Sequence, residues 1–165
     1  MTTLTPTLHL HAAEKVADVP AEAIFDLAHT RKIELDLPYA GAVTPVEAWT
    51  LATQGKAKLV DVRTAPELKF VGSVPGSLHV EWRGYDPQPL AAFLGALARV
   101  ASPDEPVLLL CRSAVRSDAA ADAATEAGYK RVYNVLEGFE GQRNHAGHRG
   151  EIDGWRKLGL PWVQD

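Results

Sequence analysis

Cys111 is the only cysteine of the 165 residues. It opens the run Cys111-Arg112-Ser113-Ala114-Val115-Arg116-Ser117. Before it lies a continuous apolar stretch, Val107-Leu108-Leu109-Leu110. After it, Ser117 to Ala127 is alanine-rich and reads as a helix stopped by Gly128. In an open α/β sheet the loops at the carboxyl ends of the strands form the ligand crevice, so this cysteine is placed for chemistry. A short loop that curls into a helix N-terminus turns backbone N–H groups toward one point and makes an anion nest. The nest, the helix dipole and the guanidinium groups of Arg112 and Arg116 all favour a thiolate over a thiol. A cysteine ending a core strand can also be an inert small hydrophobe. Two arginines within the next five residues favour the chemical reading.

Other candidates are weaker. Asp61, Arg63 and Glu67 follow a short β run and could act as acid–base groups or form a structural ion pair. His145 and His148 could be a metal pair, but the spacing is loose, no cysteine is near and a glycine-rich loop is a poor rigid platform. No metal site and no cofactor are therefore expected. Ser113 and Ser117 lack the Gly-x-Ser-x-Gly elbow of serine hydrolases. Trp82 follows a strand and reads as a core or rim aromatic rather than a pocket wall.

The elements that must position Cys111 alternate between strand and helix. Asp18-Val19-Pro20 predicts a helix start with Pro at the first helical position, and Ile24, Leu27 and Ala28 share a face of a helix reaching about Arg31. Pro38 to Gly41 reads as a linker. Thr44-Pro45-Val46-Glu47 is a capping-box signature for a helix to about Gln54. Lys58 to Val62 and Ser77 to Glu81 are short strands. Asp86-Pro87 opens a helix carrying Leu90, Phe93, Leu94, Leu97 and Ala101 on one face. Val107 to Leu110 reads as a strand buried on both faces, and Arg131 to Val135 as another strand. Asp153 caps a short helix ending at Gly159. The alternation argues for an α/β fold with a largely parallel sheet.

Composition sets the outer limits. The net charge is −4, from 17 Lys and Arg against 21 Asp and Glu, which argues against general nucleic-acid binding. Hydrophobic residues make up 46% and charged residues 23%, a globular balance. One cysteine excludes an intrachain disulfide and a cysteine-based zinc site. Residues 1–17 read as poorly ordered, and the first eleven carry no basic n-region or apolar h-region of a secretory signal. No run approaches the length of a membrane span. These features predict a soluble, cytoplasmic protein that binds neither nucleic acid nor membrane.

Three motifs in order now carry a resemblance. Leu59-Val60-Asp61-Val62-Arg63, then Glu67, Gly72 and Val74-Pro75-Gly76-Ser77, resembles the first signature of rhodanese-like domains. Cys111 to Ser117 resembles their active-site loop. Gly138-Phe139 and Gly154-Trp155-Arg156-Lys157-Leu158-Gly159-Leu160-Pro161 resemble their closing signature. The likeness covers roughly residues 42–163. It implies a central, mostly parallel five-stranded sheet flanked by helices on both faces. Residues 1–41 are then an N-terminal extension with one helix, and residues 42–165 the rhodanese-like domain. In this family the residues matching Asp61, Arg63 and Glu67 make an ion pair and cap the loop. Ser73 and Leu68 depart from the commoner His and aromatic, and Gly141 to Ile152 is longer than in the smallest members.

The resemblance implies single-domain sulfurtransferase chemistry through a persulfide on Cys111. The backbone of Arg112, Ser113, Ala114, Val115 and Arg116 would cradle the sulfur and the donor's oxyanion, with Arg112 and Arg116 supplying positive charge. The loop from Cys111 to Arg116 is six residues. Cell-cycle phosphatases of the same fold have one residue more, so the shorter loop implies sulfur rather than phosphoryl transfer. The implied donor is a small anion such as thiosulfate, and the acceptor is a thiol, cyanide or a partner protein's cysteine. A homodimer is compatible with the sequence. The alternative is a sulfur carrier or protein-interaction module with little turnover alone. In a parallel sheet the loop after Arg131–Val135 opens on the same rim as Cys111. Leu136 to Asp153, with Arg143, His145, His148 and Arg149, is then either a mobile wall or lid beside the cysteine or a solvated insertion.

Overall fold

The computed structural model describes residues 18–82 and 90–165. Five strands form one sheet: β1 (Gly41–Val43), β2 (Lys58–Asp61), β3 (Leu78–His79), β4 (Val107–Leu110) and β5 (Val132–Val135). Their order is β1-β5-β4-β2-β3, and all four pairings are parallel. The helices are α1 (Ala21–Glu34), α2 (Pro45–Thr53), α3 (Ala65–Phe70), α4 (Leu90–Val100) and α5 (Val115–Glu126). The α/β class and the parallel five-stranded sheet agree with the sequence reading.

The apolar run Val107–Leu110 becomes the middle strand because helices cover both sheet faces. Side chains alternate across a strand. Val107 and Leu109 pack with Val60, Val132, Phe93 and Leu97 and with the alanines of α5. Leu108 and Leu110 pack on the other face with Ile24, Ala28, Leu51 and Val135, joined by Phe139 and Trp155 from the C-terminal segment. Every residue of β4 is fully buried. Burying each such aliphatic side chain stabilises the fold by roughly 1.5–3 kcal/mol. The cysteine loop therefore hangs from the best-anchored strand.

Several sequence expectations are corrected. Pro20 is the residue before the first helical turn, with ψ 140° and its carbonyl accepting from Ala23 and Ile24 N–H. The buried face of α1 is Ala21, Ile24 and Ala28, and Leu27 is 49% exposed. The helix continues to Glu34 rather than Arg31. Gly41 to Val43, read partly as linker, pairs with β5. No helix forms over 153–159. The Asp153 carboxylate accepts the Gln142 N–H at 2.7 Å instead of capping, and the chain folds into successive turns. The expected disorder of residues 1–17 and the start at Asp86-Pro87 lie outside the described residues. Trp82 is buried edge-to-face against Phe93 in the core.

Helix α3 has no counterpart in the sequence reading, yet it begins with the same device as α2. The Thr64 hydroxyl accepts the Glu67 N–H at 3.4 Å, and Glu67 accepts the Thr64 N–H at 2.9 Å. Thr44 and Glu47 do the same at the start of α2. Each box satisfies two N–H groups that a helix leaves without partners.

Candidate active site

Cys111 follows β4 directly and is 1% exposed. Its carbonyl accepts the Phe139 N–H at 2.8 Å, which ties the start of the loop to the segment after β5. The chain then turns sharply at Ala114, with φ 71°, and enters α5. A left-handed alanine costs roughly 1–2 kcal/mol, and the structure holds it there from below. The Asn134 side-chain amide, in the middle of β5, donates to the Ala114 carbonyl at 3.1 Å. That bond fixes which way the amide faces and leaves its oxygen toward Ser117. The Ser117 hydroxyl donates to Asn134 Oδ1 at 2.5 Å.

Ser117 meets the sulfur twice. Its N–H lies 3.3 Å from Cys111 Sγ and its Oγ 3.1 Å from it. Because the hydroxyl proton points to Asn134, an Oγ lone pair faces the sulfur and suits a protonated thiol donor. A deprotonated sulfur would instead draw the hydroxyl proton to itself. No acceptor among the described residues meets the N–H groups of Arg112 through Arg116. Those of Ala114, Val115 and Arg116 are orphan donors of a helix start.

The candidate residues occupy different positions. Ser113 is buried, Ala114 and Arg116 are half-buried, and Arg112 and Val115 are exposed, Val115 by 73%. The Arg116 guanidinium does not stand free. It makes a two-pronged pair with Glu67, Nη2 to Oε1 at 2.6 Å and Nη1 to Oε2 at 2.9 Å. Burial pushes the Glu67 carboxyl up, but Arg116 and the Thr64 N–H outweigh it and hold the carboxyl down at about 2. The same hydrogen bonding raises Arg116 above its ordinary value.

Asp61 and Arg63 form a separate pair, fully buried, at 2.7 Å. Arg63 also donates to the Gly72 carbonyl, and its guanidinium lies 4.1 Å from the centre of the Phe139 ring. This pair braces the carboxyl end of β2 against Gly72 and Phe139. The cluster read as Asp61, Arg63 and Glu67 thus divides into a structural pair and a carboxylate that reaches the cysteine loop.

The segment after β5 is fastened beside the loop. Glu140 and Gly141 N–H groups donate to the Arg112 carbonyl at 3.0 and 3.2 Å. Gly138 has φ 74°, and a Cβ there would meet the Arg112 and Ser113 backbone at 2.5 Å. Only glycine permits this approach. Beyond it the segment and the loop enclose an open cleft of about 530 Å³, with Ser113 and Val115 on one side and Arg143, His145 and Arg149 on the other. No group of three or more His, Cys, Asp or Glu among the described residues could hold a metal ion. No helix among them is long and apolar enough to cross a membrane.

Sequence reasoning missed Asn134 and the pairing of Glu67 with Arg116. A signal for Asn134 existed: it is the one polar residue in the strand Val132-Tyr133-Asn134-Val135, and a buried amide needs partners.

A buried cysteine at the end of the middle strand, its sulfur met by the Ser117 N–H and hydroxyl, stands on a five-stranded parallel sheet of an α/β fold. The rhodanese-like domain model matches residues 44–145, and the chain belongs to that family. It is 29% identical over 119 residues to the thiosulfate sulfurtransferase GlpE of Actinobacillus succinogenes, covering 72% of this chain and 86% of that one. It is 34% identical over 100 residues to the protein of the same name from Glaesserella parasuis, covering 60% and 82%. The crystal structure of Rv0390 from M. tuberculosis is 45% identical with a TM-score of 0.68, covering 77% of this chain and 99% of that one. The protein is an enzyme of the rhodanese type, a sulfurtransferase.

Proposed function

We propose that the chain moves a sulfane sulfur from a small anionic donor such as thiosulfate to a thiophilic acceptor, through a persulfide on Cys111. The Cys111 thiolate attacks the outer sulfur of the donor. The donor's sulfur–sulfur bond breaks, sulfite leaves with the electron pair, and a Cys111 persulfide remains. A thiolate, cyanide or a partner protein's cysteine then attacks the outer persulfide sulfur. The Cys111 thiolate is the leaving group and the enzyme is regenerated. No second cysteine is present to resolve the persulfide internally, so the acceptor comes from outside.

One observation carries this reading. Ser117 places two polar groups within 3.3 Å of the sulfur, and the N–H groups of Arg112 to Arg116 are left without protein acceptors among the described residues. Backbone N–H donors are fixed before reaction and stabilise developing charge without reorganising, while the Ser117 hydroxyl turns its proton to the thiolate. Arg112 adds charge at the mouth, while Arg116, clamped by Glu67, holds the far end of the loop. The relatives named as thiosulfate sulfurtransferases support the choice of donor. Steady-state turnover with thiosulfate and cyanide tests it. Cys111→Ser is expected to abolish turnover with an unchanged melting curve, and retained turnover in that variant sinks the mechanism.

A further inference from the structure

The cleft beside the cysteine loop has more room and more charge than a donor such as thiosulfate requires. Its volume of about 530 Å³ falls in the range of roughly 300–1,000 Å³ usual for sites that bind metabolite-sized molecules. Its outer wall is a built loop. The Asn144 carboxamide oxygen accepts the N–H groups of Ala146 and His148, and the Asn144 N–H donates to the His148 carbonyl. Arg149 Nη1 donates to the Gly141 carbonyl at 2.7 Å, which fixes its guanidinium at the base of the wall.

Among the described residues, three arginines in and beside this cleft, Arg112, Arg143 and Arg149, are not held in ion pairs. The segment's own carboxylates pair with none of these arginines, although Glu151 is held at the wall itself by Asn144. Glu151 accepts from the Asn144 amide, Asp153 from the Gln142 N–H, and Glu140 faces Arg156 at 3.8 Å. Burial and the like charges of Arg112 and Arg143 push Arg149 below its ordinary value, against the weaker pull of Glu140. Cations crowded together without anionic partners gain when a multiply charged anion enters.

We infer that the cleft between the cysteine loop and residues 142–149 is the acceptor subsite, and that it selects a small thiol bearing two or more carboxylate or phosphate groups. This rests on the persulfide reading above. Arg143 and Arg149 hold the anionic groups, and Ser113 and Val115 form the wall along which the acceptor sulfur approaches Cys111. The chemistry of the second step is unchanged: the acceptor thiolate attacks the outer sulfur and Cys111 leaves.

The test separates the two claims. Protein loaded with thiosulfate is freed of donor and mixed in a stopped-flow instrument with mercaptosuccinate, thioglycerol or cysteamine at equal thiolate concentration. Mercaptosuccinate is expected to discharge the persulfide about tenfold faster than thioglycerol and faster still than cysteamine. Charge steering of this kind weakens with salt. Arg143→Gln with Arg149→Gln removes most of the preference and leaves the rate of loading by thiosulfate within about threefold. Arg143→Glu, at an exposed side chain that holds nothing in place, reduces it alone and guards against a folding artefact. Equal rates for the three thiols, or a preference that survives both variants, overturns the inference. Binding of S-methylated mercaptosuccinate to Cys111→Ser, followed by calorimetry, needs no persulfide. Binding that depends on Arg143 and Arg149 supports the subsite even where loading fails, and no binding overturns it even where loading succeeds.

Discussion

Two helix starts in this molecule use the same four-residue device and serve different ends. Thr44 and Glu47 cap α2, and Thr64 and Glu67 cap α3. In both, the glutamate spends one oxygen on the cap and also takes a distant arginine in two-pronged fashion. Glu47 receives Arg31 from α1 at 2.7 and 3.0 Å. Glu67 receives Arg116 from the cysteine loop at 2.9 and 2.6 Å. The first joint binds the N-terminal helix to the sheet, and Arg31 also donates to the Ala42 carbonyl of β1. The second sets the end of the loop that cradles the sulfur. The local chemistry is one; the role is decided by which arginine the fold delivers.

Cutting each joint separates the roles. Glu47→Ala and Glu67→Ala each remove one partner of a partly buried pair and one cap, for a loss of about 1–3 kcal/mol in urea unfolding. Turnover with thiosulfate is expected to fall about tenfold or more in Glu67→Ala, because Arg116 and the loop lose their anchor. In Glu47→Ala it stays within about twofold of wild type. Equal losses of turnover in both variants would erase the distinction.

Acid sharpens the same contrast. The Glu67 carboxyl, ordinarily near 4.5, is held at about 2 in the folded chain. A folded value below the unfolded one stabilises fully above the unfolded value and is lost as pH falls toward the folded one. Unfolding free energy should therefore drop between about pH 4.5 and pH 2. The contribution of this carboxyl is about 2 kcal/mol after allowance for solvent screening. Glu67→Gln should flatten that part of the profile, as followed by urea melts at stepped pH. A profile unchanged by the substitution would mean the pair contributes nothing.

The smallest effect lies inside the loop. Ala114 sits at φ 71°, and Ala114→Gly should stabilise the protein by about 0.5 kcal/mol, strain relief exceeding the added entropy of the unfolded chain. Asn134 bonds the backbone carbonyl, so turnover should be retained. A lower melting temperature in this variant would show that the turn is not strained.

The cysteine loop was legible in the sequence because its signal is local. Four apolar residues, then Cys111 with two arginines, then an alanine-rich helix state the geometry in one stretch. The strand β1 was not, since Gly41-Ala42-Val43 is too short to show a period and is extended only because β5 lies beside it. Helix α3 was legible in principle: Thr64-Ala65-Pro66-Glu67 repeats the pattern of Thr44-Pro45-Val46-Glu47, but only six residues follow its cap. The expected helix after Asp153 failed because the carboxylate had a better partner in Gln142, eleven residues away. Asn134 and Glu67 act on the loop from 17 and 49 residues distant. No window on the sequence brings such partners together; the parallel sheet does.

The central claim is that Cys111 itself carries the transferred sulfur. Intact mass of the protein after incubation with thiosulfate and removal of the donor tests it most directly. The account predicts an added mass of one sulfur atom on the wild-type chain, removed by dithiothreitol and absent from Cys111→Ser. A wild-type chain that gains no sulfur, or a serine variant that gains it equally, would contradict it.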